Sequence, residues 1–224
     1  MIRLLVGCLS LGLFSLVVAW CPAQEKASLK AGSNIPGTFH PYNVTQRIDP
    51  EPEPGPGDKA GPSRPAERPT KGKYHCLVTA YDLDPVVLLV ARNLDDNEAF
   101  RDLLKKLDAA VARHRVARLR CFVVGLYDDL TDVLKQDDKR DELAARLEKL
   151  SGDLNLKGVV LTLASPSDLA KYNLDESAAL NVLLYRQLKV AEVKNLSRDK
   201  LDKADNPEIE AILKATDALV PARR

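Results

Sequence analysis

Histidine and cysteine are both scarce in this chain of 224 residues, with three of the first and four of the second. His40, His75 and His114 show none of the spacings that hold a metal ion, and His75 and Cys76, adjacent in an apparent strand, would face opposite ways. No metal site is expected. Charge of one sign is missing too: 33 lysines and arginines balance 32 aspartates and glutamates, so no broad field recommends nucleic acid or an anionic membrane as a partner. The chain has no phosphate-cradling glycine loop, no nucleophilic-serine motif, no repeat and no basic patch interleaved with aromatics, and nothing in it calls for a cofactor. What it does have is 45% apolar and 29% charged residues, ordinary for a globular protein with a real core, at a length that allows one domain plus extensions.

The start of the chain carries Arg3 and then an uncharged apolar run to Trp20, the layout of a secretion signal. Cys21-Pro-Ala23 sets small residues at the minus-three and minus-one positions, which puts cleavage before Gln24 and makes residues 1–23 the signal. An uncleaved anchor is the alternative, because Ile2 to Cys21 matches the roughly 20 residues that cross a bilayer. Acylation is opposed by Trp20 before Cys21, and Cys8 comes too early to leave an apolar region. Export implies a periplasmic, cell-envelope or extracellular location, with no membrane association after cleavage. It also removes Cys8 and Cys21 and delivers Cys76 and Cys121 to an oxidising compartment. Two cysteines are not a disulfide scaffold, so the fold must stand on its core.

Residues 24–36 are polar and aperiodic and read as a flexible leader, and 37–48 hold a short strand around Gly37–Thr45. Residues 49–72 are a proline-rich insertion or linker, where proline removes backbone donors and glycine removes side chains, so the stretch is expected to be extended and solvated. The domain proper spans 73–220. Tyr74–Tyr81 and Pro85–Arg92 read as strands, the second apolar enough to be buried on both faces in mid-sheet. Asp95, Asp96 and Glu98 open a helix whose Phe100, Leu103, Leu104, Leu107 and Val111 keep three- and four-residue spacing, and Arg113 to Arg115 close it. Leu119–Tyr127 is a strand, Asp138–Leu150 a helix and Gly158–Leu163 a buried strand. Asn181–Tyr185 and Leu188–Val193 are joined too closely for anything but a hairpin, and Asn206-Pro207 opens a last helix. This order predicts an α/β fold: a mostly parallel central sheet with an antiparallel C-terminal hairpin, flanked by helices.

That order of elements resembles the thioredoxin-like superfamily, and in detail its peroxiredoxin-like (AhpC/TSA) branch, over roughly residues 33 to 219. The resemblance is carried by Ile35-Pro-Gly-Thr-Phe39, by Asp84-Pro-Val-Val-Leu-Leu-Val-Ala91 as the central strand, and by Asp168-Leu-Ala-Lys-Tyr-Asn-Leu174 leading into Leu180-Asn-Val-Leu-Leu-Tyr185. It implies that 37–45 and 74–81 form an N-terminal hairpin region interrupted by the proline-rich insertion. It also implies a nucleophilic cysteine at the start of the helix after the central strand, where the helix dipole favours a thiolate. That place reads Arg92-Asn-Leu-Asp-Asp-Asn-Glu98, with three acids and no cysteine. The cis-proline expected before the hairpin is replaced by Ala178-Ala-Leu180, and the hairpin turn Arg186-Gln187 lacks the usual glycine. Both halves of the redox site are missing.

Cys76-Leu-Val-Thr79 looks like a CxxC motif that has lost its second cysteine; within a strand, Cys76 reads as a small apolar side chain, and a bridge to Cys121 would span two strand spacings. Asp128 and Asp129 follow the carboxyl end of a strand, and with Arg92, Asn93, Asp95 and Asp96 at the neighbouring strand end they form a polar rim able to hold a cation or small ligand, or simply to cap helices. Asn43-Val-Thr45 and Asn195-Leu-Ser197 are sequons that matter only in a glycosylating host. The leading expectation is an exported, redox-inactive thioredoxin-like module that binds a protein or small-molecule partner or serves a structural role. The alternative is an atypical thiol oxidoreductase or peroxidase using Cys76 or Cys121.

Overall fold

A computed structural model of the protein describes residues 29–48, 69–202 and 206–220. The expected signal at 1–23 lies outside these residues, as do positions 49–68 of the expected proline-rich linker at 49–72. Seven strands form one sheet: β1 (Tyr42–Asn43), β2 (Lys73–Tyr74), β3 (Val86–Arg92), β4 (Arg120–Leu126), β5 (Val159–Leu163), β6 (Leu180–Arg186) and β7 (Lys189–Leu196). Their spatial order is β2-β1-β5-β4-β3-β6-β7. β3 therefore lies inside the sheet, parallel to β4 and antiparallel to β6, with Leu88 opposite both Phe122 and Leu183.

The helices are α1 (Leu77–Tyr81), α2 (Glu98–Arg113), α3 (Asp137–Leu154), α4 (Arg198–Leu201) and α5 (Pro207–Leu219), with 3-10 segments at Arg115–Ala117 and Pro166–Tyr172. Strand alternation sorts the core into two halves. Val87, Leu89 and Ala91 point to one face with Cys121 and Val123, under the apolar stripes of α2, α3 and α5. Val86, Leu88 and Val90 point to the other with Phe122, Val124 and Leu126, under α1, the Pro166–Tyr172 segment, Ile35 and Phe39. Local chemistry sets the helix ends. Asn97 caps α2 by accepting the Phe100 N–H at 2.9 Å, and Asn206 caps α5 by accepting from Glu208, with Pro207 in the first turn. α3 stops at Asn155, which takes the left-handed conformation.

Three expectations need correction or refinement. The run Tyr74–Tyr81 is not a strand: β2 is only Lys73–Tyr74, and Leu77–Tyr81 is a helical turn that buries Leu77, Val78 and Tyr81 and ends at Asp82. A short apolar run has no periodicity to separate a strand from a buried helix, and the β-branched and aromatic content pointed the wrong way. His75 and Cys76 consequently do not lie on a regular strand. The sheet is mixed rather than mostly parallel, because only the β3–β4 and β4–β5 pairs are parallel; β1, β2, β6 and β7 all pair antiparallel. The end of the expected leader also has a partner. Asn34 bridges Lys189, Gly32 donates its N–H to the Val190 carbonyl at 2.7 Å, and Ile35 is buried.

β1 and β2 do pair as the resemblance implied, Tyr42 opposite Tyr74. Of the sequons, Asn43 is buried and Asn195 is exposed. No helix among the described residues is long and apolar enough to cross a membrane.

Where α2 crosses the start of β5, Val111 packs closely on Gly158. A methyl group at Gly158 would stand 2.6 Å from Val111 Cγ1, while Asp108 of α2 accepts the N–H groups of Lys157, Gly158 and Val159 at 2.7–3.0 Å. Gly158→Ala is expected to destabilise the fold by about 1–3 kcal/mol through overpacking. In urea denaturation, combining it with Val111→Ala should cost less than the sum of the two single changes, because the shorter side chain removes the clash.

Candidate functional site

β3 and β4 end together, Arg92 opposite Leu126, at the carboxyl edge where open α/β sheets collect ligands. Beyond Arg92 the chain turns sharply at Asn93, whose φ of 50° is a left-handed conformation that asparagine tolerates. Its amide donates to Asp128 Oδ2 at 2.8 Å and its backbone N–H to the Leu126 carbonyl at 3.1 Å, tying the two strand ends together.

The acids that follow are engaged one by one. Asp95 is buried, and its Oδ2 accepts from Arg146 of α3 at 2.5 Å. The Arg146 guanidinium lies 5.5 Å from the centre of the Tyr127 ring. Burial of the Tyr127 phenol, and then the negative charge of Asp95 nearby, pushes it well above its usual range. Asp96 is exposed and 3.9 Å from the same arginine. Asp129 pairs with Lys139, which holds its carboxyl below the usual range. The six residues Arg92, Asn93, Asp95, Asp96, Asp128 and Asp129 thus share one edge of the sheet, Asn93 bonded to Asp128, Asp95 and Asp96 facing Arg146, and Asp129 paired with Lys139. Among the described residues no group of three or more histidines, cysteines, aspartates and glutamates is placed to hold a metal ion.

Arg92 behaves differently from its neighbours. By strand alternation it follows Leu88 and Val90 onto the face covered by α1 and the Pro166–Tyr172 segment. There it lines a cleft of about 570 Å³ with Leu126, Pro166, Leu169, Asn173 and Glu176. Its Nε is shielded from solvent and meets no hydrogen-bond acceptor among the described residues. The cleft wall is built by a capping box: the Ser165 N–H donates to Asp168 Oδ2 at 2.9 Å, Pro166 opens the 3-10 turn, and Asn173 ends it in the left-handed conformation. At the rim, Asp175 accepts from the Ser177 hydroxyl and N–H. Those bonds, with a smaller contribution from Arg92, hold its carboxyl below the usual range.

Among the described residues the cysteines are Cys76 and Cys121; each is buried and free, and they lie on opposite faces of the sheet. Cys121 sits under α2 and α3, where burial pushes its thiol far above the usual range. Cys76 is at the N-terminal end of α1, not inside a strand, and the Thr79 hydroxyl donates to its sulfur at 3.3 Å. Sequence reasoning missed Arg146 and Glu176, because ion pairs and cleft walls between distant elements leave no local signal. The Ser165-Pro-Ser-Asp168 capping box was open to view as a turn signature.

No protein-family model and no curated protein matches the chain. Solved structures do. A protein assigned as thiol:disulfide interchange protein DsbE from Chlorobium tepidum is similar at a TM-score of 0.54 and 12% identity, over 87% of this chain and 100% of that one. A protein assigned as a disulfide isomerase from Bacteroides thetaiotaomicron is similar at a TM-score of 0.52 and 11% identity, over 86% of this chain and 91% of that one. A peroxiredoxin-like protein from Aquifex aeolicus is similar at 0.42 and 15%, over 62% and 74%. At these identities the likeness is one of fold, and the fold of this chain is thioredoxin-like.

The Asp95–Arg146 pair is asymmetric, with side-chain exposures of 8% and 44%. Removing the arginine strands a buried carboxylate, whereas removing the aspartate leaves an arginine that reaches water. Arg146→Met is therefore expected to lose about 2–4 kcal/mol in chemical denaturation and Asp95→Asn about 1 kcal/mol. Equal costs would contradict this account of the pair.

Proposed function

We propose that the chain is an exported thioredoxin-fold module that binds a partner or small molecule and carries out no thiol chemistry. The observation that carries this reading is what occupies the start of α2. Where the resemblance puts a nucleophilic cysteine, the chain has a buried Asp95 bonded to Arg146, with Asn97 as the helix cap. A thiolate there would meet the negative field of Asp95 and Asp96 instead of the donors it needs. Burial of both remaining cysteines supports the same conclusion, since disulfide exchange requires in-line access to sulfur.

A second reading assigns thiol exchange or peroxide reduction to Cys76 or Cys121. One observation favours it for Cys76: the residue stands at a helix start with a hydroxyl donating to its sulfur, in the place of the missing CxxC partner.

Insulin reduction by dithiothreitol and peroxide consumption, measured on the purified protein, separate the two. The module reading predicts rates equal to the protein-free control, unchanged in Cys76→Ser and Cys121→Ser. Turnover above control that is lost in either variant establishes the thiol reading and excludes the module.

A further inference from the structure

Among the described residues, Arg92 is a cation that lines a cleft and feels the Asp175 carboxylate nearby without pairing to it. Its guanidinium makes no side-chain hydrogen bond and no ion pair with any described residue, and its Nε is withdrawn from water. A buried donor left without an acceptor costs free energy comparable to a lost hydrogen bond, and a charged donor more. The half-buried guanidinium lines the cleft, and the remaining lining says what it could meet there. Leu126, Pro166 and Leu169 are aliphatic, Asn173 is an amide, and Glu176 stands exposed as the one acid among the lining residues. One cation at the base, apolar walls and about 570 Å³ of space suit a ligand with a single negative charge and an aliphatic body, within the range of ordinary small-molecule sites. The planar fork of an arginine matches a carboxylate in bidentate geometry. A phosphate would bring a second charge to a cleft lined by one arginine and one glutamate, with the Asp175 carboxylate also near the arginine.

We propose that this cleft binds a small monocarboxylate with an aliphatic body, its carboxylate on Arg92 and its chain against Leu126, Pro166 and Leu169. Two sources share this chemistry, free aliphatic acids and aliphatic α-amino acids, and Glu176 distinguishes them. It repels the carboxylate of a simple acid but pairs with the ammonium group of an amino acid.

This inference rests on the binding-module reading, and the test keeps the two separable. Octanoate and L-leucine are titrated into the full chain, with octan-1-ol as the uncharged control. Heat is recorded, and the Nε–H resonance of Arg92 is followed by NMR. One of the two carboxylates should bind and shift that resonance, octan-1-ol should not, and Arg92→Gln should weaken binding by tenfold or more, the loss of a charge-assisted hydrogen bond. Glu176→Gln, on an exposed loop that does not support the core, should strengthen octanoate binding or weaken leucine binding, according to which source fits. The inference is overturned if neither carboxylate binds at concentrations up to about 10 mM. It is equally overturned if octan-1-ol binds as well, or if Arg92→Gln and Glu176→Gln both leave affinity unchanged. Thiol turnover plays no part in these readouts. Turnover with carboxylate binding sinks the module reading and leaves the cleft, while neither turnover nor binding sinks the cleft and leaves the module.

Discussion

Five successive residues of β3, Val86 to Val90, have no exposure to solvent, and the demand that both faces of this strand be covered shapes the rest of the molecule. A strand buried on both sides needs packing layers on both. The two layers here are unequal. Three long amphipathic helices, α2, α3 and α5, cover one face. The other is covered by the single turn of α1, one 3-10 segment and the chain ahead of β1, with aromatic rings filling the space: Phe39 meets Tyr172 edge-on at 5.4 Å and Tyr81 meets Phe122 at 6.0 Å. A thin cover does not reach the end of the strand, so the cleft opens on that side, and strand alternation delivers Arg92 into it.

The same constraint decides the fate of the cysteines. Cys121 is the second residue of β4 and faces the helical layer, as strand parity requires when Phe122 faces the aromatic layer. Cys76 enters the aromatic layer as α1 begins, near Tyr172 and Tyr185, whose hydroxyls are raised well above their usual range mainly by burial. Two sulfurs on opposite faces of one sheet cannot bridge without dismantling it. At the start of α2, meanwhile, a buried carboxylate is held by an arginine from α3, so that corner is stabilised by an ion pair and not poised by a helix dipole.

The long periodic segments were legible in the sequence because their pattern reports burial directly. The stripe from Phe100 to Val111 is the buried face of α2, the unbroken apolar run of β3 is an interior strand, and the close spacing of 180–196 is a hairpin. The thioredoxin-like fold could be named on that basis. Tyr74–Tyr81 misled because the five-residue helix inside it is too short to show a period. The proportion of parallel pairing misled because the direction of the short outer strands depends on partners far away in sequence, such as Tyr42 opposite Leu163. The site was half legible. Arg92 and its acidic neighbours lie where a strand end should put them, but that Asp95, Asp128 and Asp129 each have a side-chain partner, while the Arg92 side chain makes no hydrogen bond or ion pair with a described residue, is a matter of which side chains arrive: Arg146, Asn93, Lys139 and the Pro166–Tyr172 wall.

On the proposed module reading, neither Cys76 nor Cys121, both buried, is available for chemistry while the domain is folded. Thiol labelling of Cys76 and Cys121 as a function of urea, read peptide by peptide by mass spectrometry, tests it most directly. The account predicts that both sulfurs are protected in native buffer and become modified together, with the free energy of global unfolding. Modification of Cys76 in native buffer at the rate of an exposed cysteine would contradict it.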